Sequence, residues 1–112
     1  MPALNADYST LNYDDMAAQI GLKAKHVPML IGVFLEESNE IMPALKNALD
    51  LKNFEEIQSK AHSIKGSAGN LRFTEVYEMA REMELNAQES KTDFDYSANF
   101  EAIKVAIATI PN

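Results

Sequence analysis

"FEEIQSKAHSIKGSAGNL", residues 54–71, is the stretch on which the fold turns. Phe54, Ile57, Ala61, Ile64, Ala68 and Leu71 step by three and four through it, the spacing of a single buried stripe on an α-helix. The spacing predicts a helix over 54–71. Gly66 and Gly69 lie inside it, although each costs roughly 1 kcal/mol relative to alanine in a helix interior. Two such residues beside His62 call for a reason.

Upstream, "LDLKN" at 49–53 reads as a turn, and Lys25 to Leu49 as a long helix with Pro28 in its first turn. Val27, Leu30, Phe34, Ile41, Leu45 and Ala48 recur at helical spacing there. Pro43 removes the bond to Asn39 and is expected to kink or break this helix. Ile31, Leu35 and Met42 fall to one side of the seam, as expected if the helix touches two neighbours and an N-terminal helix; a docking patch is the sharper alternative. Asn12 to Ile20 predicts a short helix with Asn12 as N-cap and Gly21 at its end. Residues 1–10 read as a tail.

Downstream, Thr74 is the expected N-cap of a fourth helix with Val76, Ala80, Met83 and Ala87 as seam. Asp95 or Ser97 is expected to cap a last helix carrying Tyr96, Phe100, Ile103, Ile107 and Ile110. Short connections favour antiparallel neighbours. The expected fold is all-α: a single domain over 1–112, an up-down-up-down antiparallel four-helix bundle with a short extra N-terminal helix.

Composition narrows the function. Only four glycines and four prolines in 112 residues leave few turns, which suits long helices and no sheet. A net charge of −7 argues against nucleic acid and anionic lipid as partners. Without cysteine there are no disulfides and no thiolate chemistry. The start "MPALNADYSTLNYDD" has no basic n-region or apolar h-region, and the longest apolar run, Val27 to Leu35, is too short to span a bilayer. A cytoplasmic location is expected.

On a helical wheel His62 points roughly 130° away from the seam, towards water. Gly66 and Gly69 follow it by one and two turns, Gln58 and Ser59 precede it by one, and Lys65 lies between this stripe and the core. Bare neighbours expose the imidazole and let a partner approach. A neutral imidazole is a nucleophile that needs no cofactor, and a lysine within reach can hold a phosphoryl group by charge-assisted hydrogen bonds. His26, before Val-Pro, has no such surroundings and is expected to have no role.

Here "AHSIKGSAGNL" resembles the histidine-phosphotransfer (HPt) domains of bacterial phosphorelays, whose pattern is His-x-x-Lys-Gly followed by small residues. His62, Lys65, Gly66, Ser67, Ala68 and Leu71 match it, and the likeness covers most of the chain, with residues 1–20 the least constrained. Arg72 stands where the family often has a further glycine. The resemblance implies a phosphocarrier, not a kinase. His62 would take a phosphoryl group from a receiver-domain aspartate and pass it to another receiver, at the Nε2 position. Lys65 would steady the phosphate and Gly66 give access, while Gln58, Ser59, Gly69 and Arg72 border the docking surface. No intrinsic cofactor or metal is expected; the partner receiver supplies magnesium. Receiver domains and a hybrid sensor histidine kinase are the expected partners, and the monomer is the default state. The initial methionine and the lack of linkers suggest a free-standing protein.

Other chemistries fit less well. A di-iron bundle needs Glu-x-x-His, but Lys23 and Ser59 stand three before the histidines. "GSAG" matches the G-x-x-G of KH loops only weakly, and "IKGSAGN" is not a P-loop, because no G-K-[ST] follows. Glu36, Glu37 and Glu40, and Glu78 and Glu82, read as solvated faces, and the methionines as core. Two alternatives remain: phosphorylation by an ATP-dependent histidine kinase of chemotaxis type, and a phosphate-independent helical adaptor.

Overall fold

Helical periodicity is realised from Tyr13 onward. A computed structural model describes residues 6–111. Among them are five α-helices and no strand: α1, Tyr13–Ile20; α2, Val27–Asp50; α3, Phe54–Asn70; α4, Thr74–Gln88; and α5, Tyr96–Ala108. A single 3-10 turn, Ala24–His26, leads into α2, so the long helix begins two residues later than its sequence suggests.

Local chemistry sets several ends. Asn12 Oδ1 accepts from the Asp15 amide at 3.1 Å, Asn53 Oδ1 from the Glu56 amide at 3.2 Å, and Asp95 Oδ1 from the Ala98 amide at 3.0 Å. These bonds satisfy amides with no intrahelical partner, and Asp95, not Ser97, caps α5. Gly21 closes α1 at φ 74°. The ends of α2, α3 and α4 pass instead through Lys52, Arg72 and Ser90, all at positive φ. The Asn53, Phe73 and Lys91 amides then reach back to the carbonyls of Ala48, Ala68 and Asn86, the six-to-one bond of a Schellman turn. Arg72 therefore occupies a left-handed turn position, which glycine fills without strain.

Two expectations are revised. Of the kink or break expected at Pro43, the break does not occur: α2 runs through it as one helix. Proline removes one bond, whereas Phe34, Leu45 and Ala48 are buried on either side of it and hold both halves against the core. Thr74 is the first residue of α4, not its cap; the cap position is Phe73, which makes no side-chain cap bond. The missing acceptor comes from far away in sequence. Tyr8 Oη accepts from the Val76 amide at 3.4 Å and donates to Glu75 Oε1 at 2.8 Å.

Tyr8 is itself buried, with its ring 4.7 Å from Phe73, whose ring lies 5.2 Å from Phe34. Its amide donates to Thr109 Oγ1 at 2.8 Å. So the expected tail is pinned at Tyr8; residues 1–5 lie outside the described residues. Phe34 and Phe73, nearly fully buried, each contribute about 1.5–3 kcal/mol of transfer free energy.

α3 packs on α2 and α4, and α5 also packs on α2 and α4. Ile57, Ala61, Ile64, Ala68 and Leu71 are buried as the seam requires, with Val76, Met79, Ala80 and Met83 facing them from α4. On α2 the core stripe takes Ile31 and Ser38, while Leu30, Leu35, Ile41 and Met42 are half-buried at its margins. The two-neighbour account of the apolar surplus on α2 holds for these residues; those that remain exposed are Met29 and Val33.

Candidate functional site

His62 lies in the middle of α3 with its side chain 67% exposed. Four buried seam residues, Ile57, Ala61, Ile64 and Ala68, fix the rotation of α3 and turn position 62 outward. One turn on, a Cβ added at Gly66 would meet nothing within 4 Å. Packing within the molecule therefore does not require this glycine, and it leaves open surface beside His62. Gly69 is different. A Cβ there would sit 3.2 Å from Tyr77 Cδ2, so this glycine lets α3 and α4 approach closely.

Close approach brings in a residue that sequence reasoning missed. Glu84 of α4 reaches across to α3, with Oε2 2.7 Å from His62 Nδ1 and Oε1 2.7 Å from Lys65 Nζ. Its side chain is only 13% exposed. Burial pushes the Glu84 carboxyl up, but hydrogen bonds from Lys65 and then His62 outweigh it and hold the group below its ordinary value. A carboxylate only accepts, so His62 Nδ1 carries the proton in this bond, and in the neutral ring that leaves the lone pair on Nε2. Lys65 is accordingly not a lone cation beside the imidazole: its partner is Glu84.

The pairing has a simple geometric origin. His62 meets Glu84 and Gly69 meets Tyr77, so α3 and α4 run antiparallel about the short turn at Leu71–Phe73. On a wheel of α4, Glu84 lies roughly 70° from the Val76–Ala87 seam, on its α3 side. Combining that wheel with the turn would have identified it; inspection of α4 by itself suggested only solvated acids.

Of the other predicted site residues, Gln58 is half-buried and Ser59 exposed, one turn before His62. Arg72 is exposed, with Nη1 3.4 Å from the Gly69 carbonyl. Lys65, Gly66, Gly69, Arg72 and Tyr77 line a shallow depression of about 450 Å³ along the α3–α4 side. Two further grooves are lined by Met42, Phe100 and Ile107 between α2 and α5, and by Phe54, Phe94 and Tyr96, with no histidine in either. Among the described residues no three His, Cys, Asp or Glu side chains converge on a metal position, and no helix is long and apolar enough to cross a membrane.

Comparison with known families gives one match: a model described as the Hpt domain covers residues 29–109. The match begins in α2 and takes in all of α3, α4 and α5. No curated protein and no solved structure matches the chain.

Proposed function

The chain belongs to the Hpt-domain family, and from this we propose that it is a phosphorelay intermediate with His62 as phosphoacceptor. Histidine phosphotransfer in two-component systems is what the family does. The observation that carries the assignment to His62 is its geometry: an exposed imidazole on a helix anchored by one buried stripe, with Nδ1 held by Glu84, Nε2 turned away from that bond, and open surface at Gly66.

On this reading a receiver-domain aspartyl phosphate docks over α3 and the Nε2 lone pair attacks its phosphorus. The receiver supplies the magnesium and the acidic pocket; this chain supplies the nucleophile. Lys65 steadies the phosphoryl group once it is attached. Gln58, Ser59, Gly69 and Arg72 border the docking surface, with Arg72 as the cation facing an acidic receiver rim. The carrier is an up-down-up-down bundle of α2 to α5 with α1 appended, acting as a monomer in the cytoplasm. It has no kinase activity of its own.

Incubation with a phosphorylated receiver and magnesium, followed by mass spectrometry for acid-labile, base-stable phosphate, tests this. Label is expected on His62, and none in His62→Gln. Because the side chain is outside the core, the variant should unfold within about 0.5 kcal/mol of the parent. Absence of label from several receivers would overturn the receiver-to-receiver reading; label from an ATP-dependent histidine kinase would then identify the donor, and absence of both would leave an adaptor.

A further inference from the structure

The left-handed turn after α3 carries an arginine that the turn itself does not explain. At φ 61° Arg72 holds a conformation that glycine adopts freely and a residue with a Cβ does not. The bonds that close the turn come from the backbone: the Phe73 amide reaches the Ala68 carbonyl, and the Arg72 amide the Gly69 carbonyl. The side chain adds one long contact, 3.4 Å from Nη1 to that same Gly69 carbonyl, and stays exposed. Glycine would close the turn as well, with less strain. A strained residue that the fold does not need is a functional signal.

Charge and place say what the function is. Among the described residues no carboxylate lies within ion-pair distance of Arg72, whereas Lys65 is taken by Glu84 and Lys60 by Glu56. Of these three cations Arg72 is the one with its charge uncommitted, in a chain of net charge −7. It lines the depression of about 450 Å³ that starts at Gly66, one turn from His62, and Tyr77 walls it from α4. Ten positions on from His62, Arg72 stands roughly 15 Å away along the surface. A partner that covers about 800 Å² of this chain reaches roughly 16 Å from its centre. Arg72 therefore lies at the rim of a receiver centred on His62. Rim charges steer association and reject wrong partners more than they add affinity.

We propose that Arg72 is a specificity-determining residue: it selects, among receiver domains, those that present a carboxylate over the Gly66–Gly69 depression, and it speeds their docking, not the transfer step. The proposal rests on the phosphocarrier reading of His62. A planar guanidinium holds a carboxylate through two parallel hydrogen bonds, and the glycines beside it leave room for that side chain to approach. A receiver with a lysine at the same place meets like charge and is disfavoured.

Two substitutions separate charge from backbone. Arg72→Gln removes the charge and keeps a Cβ in the left-handed turn; Arg72→Gly removes both and relieves the strain. Uptake is measured from a phosphorylated receiver that transfers to the parent. Both variants are expected to lower the second-order rate about 3- to 10-fold at about 10 mM salt, and to leave the rate at saturating receiver within about twofold. They should converge on the parent near 1 M salt, where the screening length is about 3 Å. The urea midpoint of Arg72→Gly should rise above the parent's, so loss of structure is not the cause of its slower uptake.

A charge swap identifies the contact. Asp and Glu residues that surround the receiver's phosphorylation pocket, but lie outside it, are changed to Lys one at a time. One of them should slow uptake by the parent about 10-fold and recover at least about threefold with Arg72→Glu. Unchanged low-salt uptake in Arg72→Gln, an equal loss at every salt concentration, or no receiver variant rescued by Arg72→Glu would each overturn the proposal. If no receiver phosphorylates the parent, the carrier reading fails. Binding of unphosphorylated receivers to the parent and to Arg72→Gln then decides the role of Arg72, and equal binding, or none, refutes it.

Discussion

At the scale of single residues, the two glycines after His62 look alike in the sequence and are unlike in the structure. At Gly69 an added methyl would press on the Tyr77 ring, which would have to give way by a few tenths of an ångström; at Gly66 it would meet nothing within the molecule. Gly66→Ala should therefore raise stability by up to about 1 kcal/mol, the ordinary difference between the two residues in a helix. It should also slow phosphoryl transfer, because a methyl group now stands beside the imidazole. Urea unfolding and receiver-to-His62 transfer rates check the two effects together; an unimpaired transfer rate would remove the access role. His62, Lys65 and Gly66 were legible because they share one helix, whose wheel is fixed by local spacing. Glu84 was not, because its meeting with His62 depends on how two helices align across a turn. Arg72 shows the same limit: its positive φ explains why glycine is common there, but that conformation is a property of the turn.

At the scale of elements, the caps divide in the same way. Asn12 and Asp95 bond amides three residues ahead, and such local partners are visible in sequence. The start of α4 is closed by Tyr8, which is 67 and 68 positions away from the residues its hydroxyl bonds. Thr74 had the right side chain one residue too late, and its Oγ1 donates back to the Arg72 carbonyl instead. Tyr8→Phe would keep the ring against Phe73 and remove only the hydroxyl. It is expected to cost about 1 kcal/mol, seen as a lower urea midpoint, with faster amide exchange at Val76. Burial, followed by the bond to Glu75, raises the Tyr8 pKa, so the neutral hydroxyl is the form the fold favours. This contribution is present through neutral pH and is lost only as pH rises beyond the ordinary tyrosine range. Pro43 teaches the converse. Its local rule was sound, but a helix of 24 residues with buried side chains on both sides of the proline tolerates one lost bond.

At the scale of the whole molecule, helices joined by short turns give mostly local contacts, spread over a body measuring 42 × 24 × 21 Å. The candidate site lies on the α3–α4 side, and the core behind it sets the aim of His62. Ala61 and Ala68 are fully buried where α3 meets its neighbours. Ala61→Leu or Ala68→Leu should cost about 1–3 kcal/mol by overpacking and misalign His62 with Glu84, so uptake falls along with the urea midpoint. The bond from the Tyr8 amide to Thr109 Oγ1 carries one more consequence. Positions 8 and 109 touch, so the described chain is nearly a closed ring. A circular permutant that joins these ends by a short linker and opens between Lys91 and Thr92, in the exposed connection after α4, would interrupt neither α3 nor its pairing with α4. Such a rewired chain should fold and, on the phosphocarrier reading, take up phosphate at His62 at the rate of the parent.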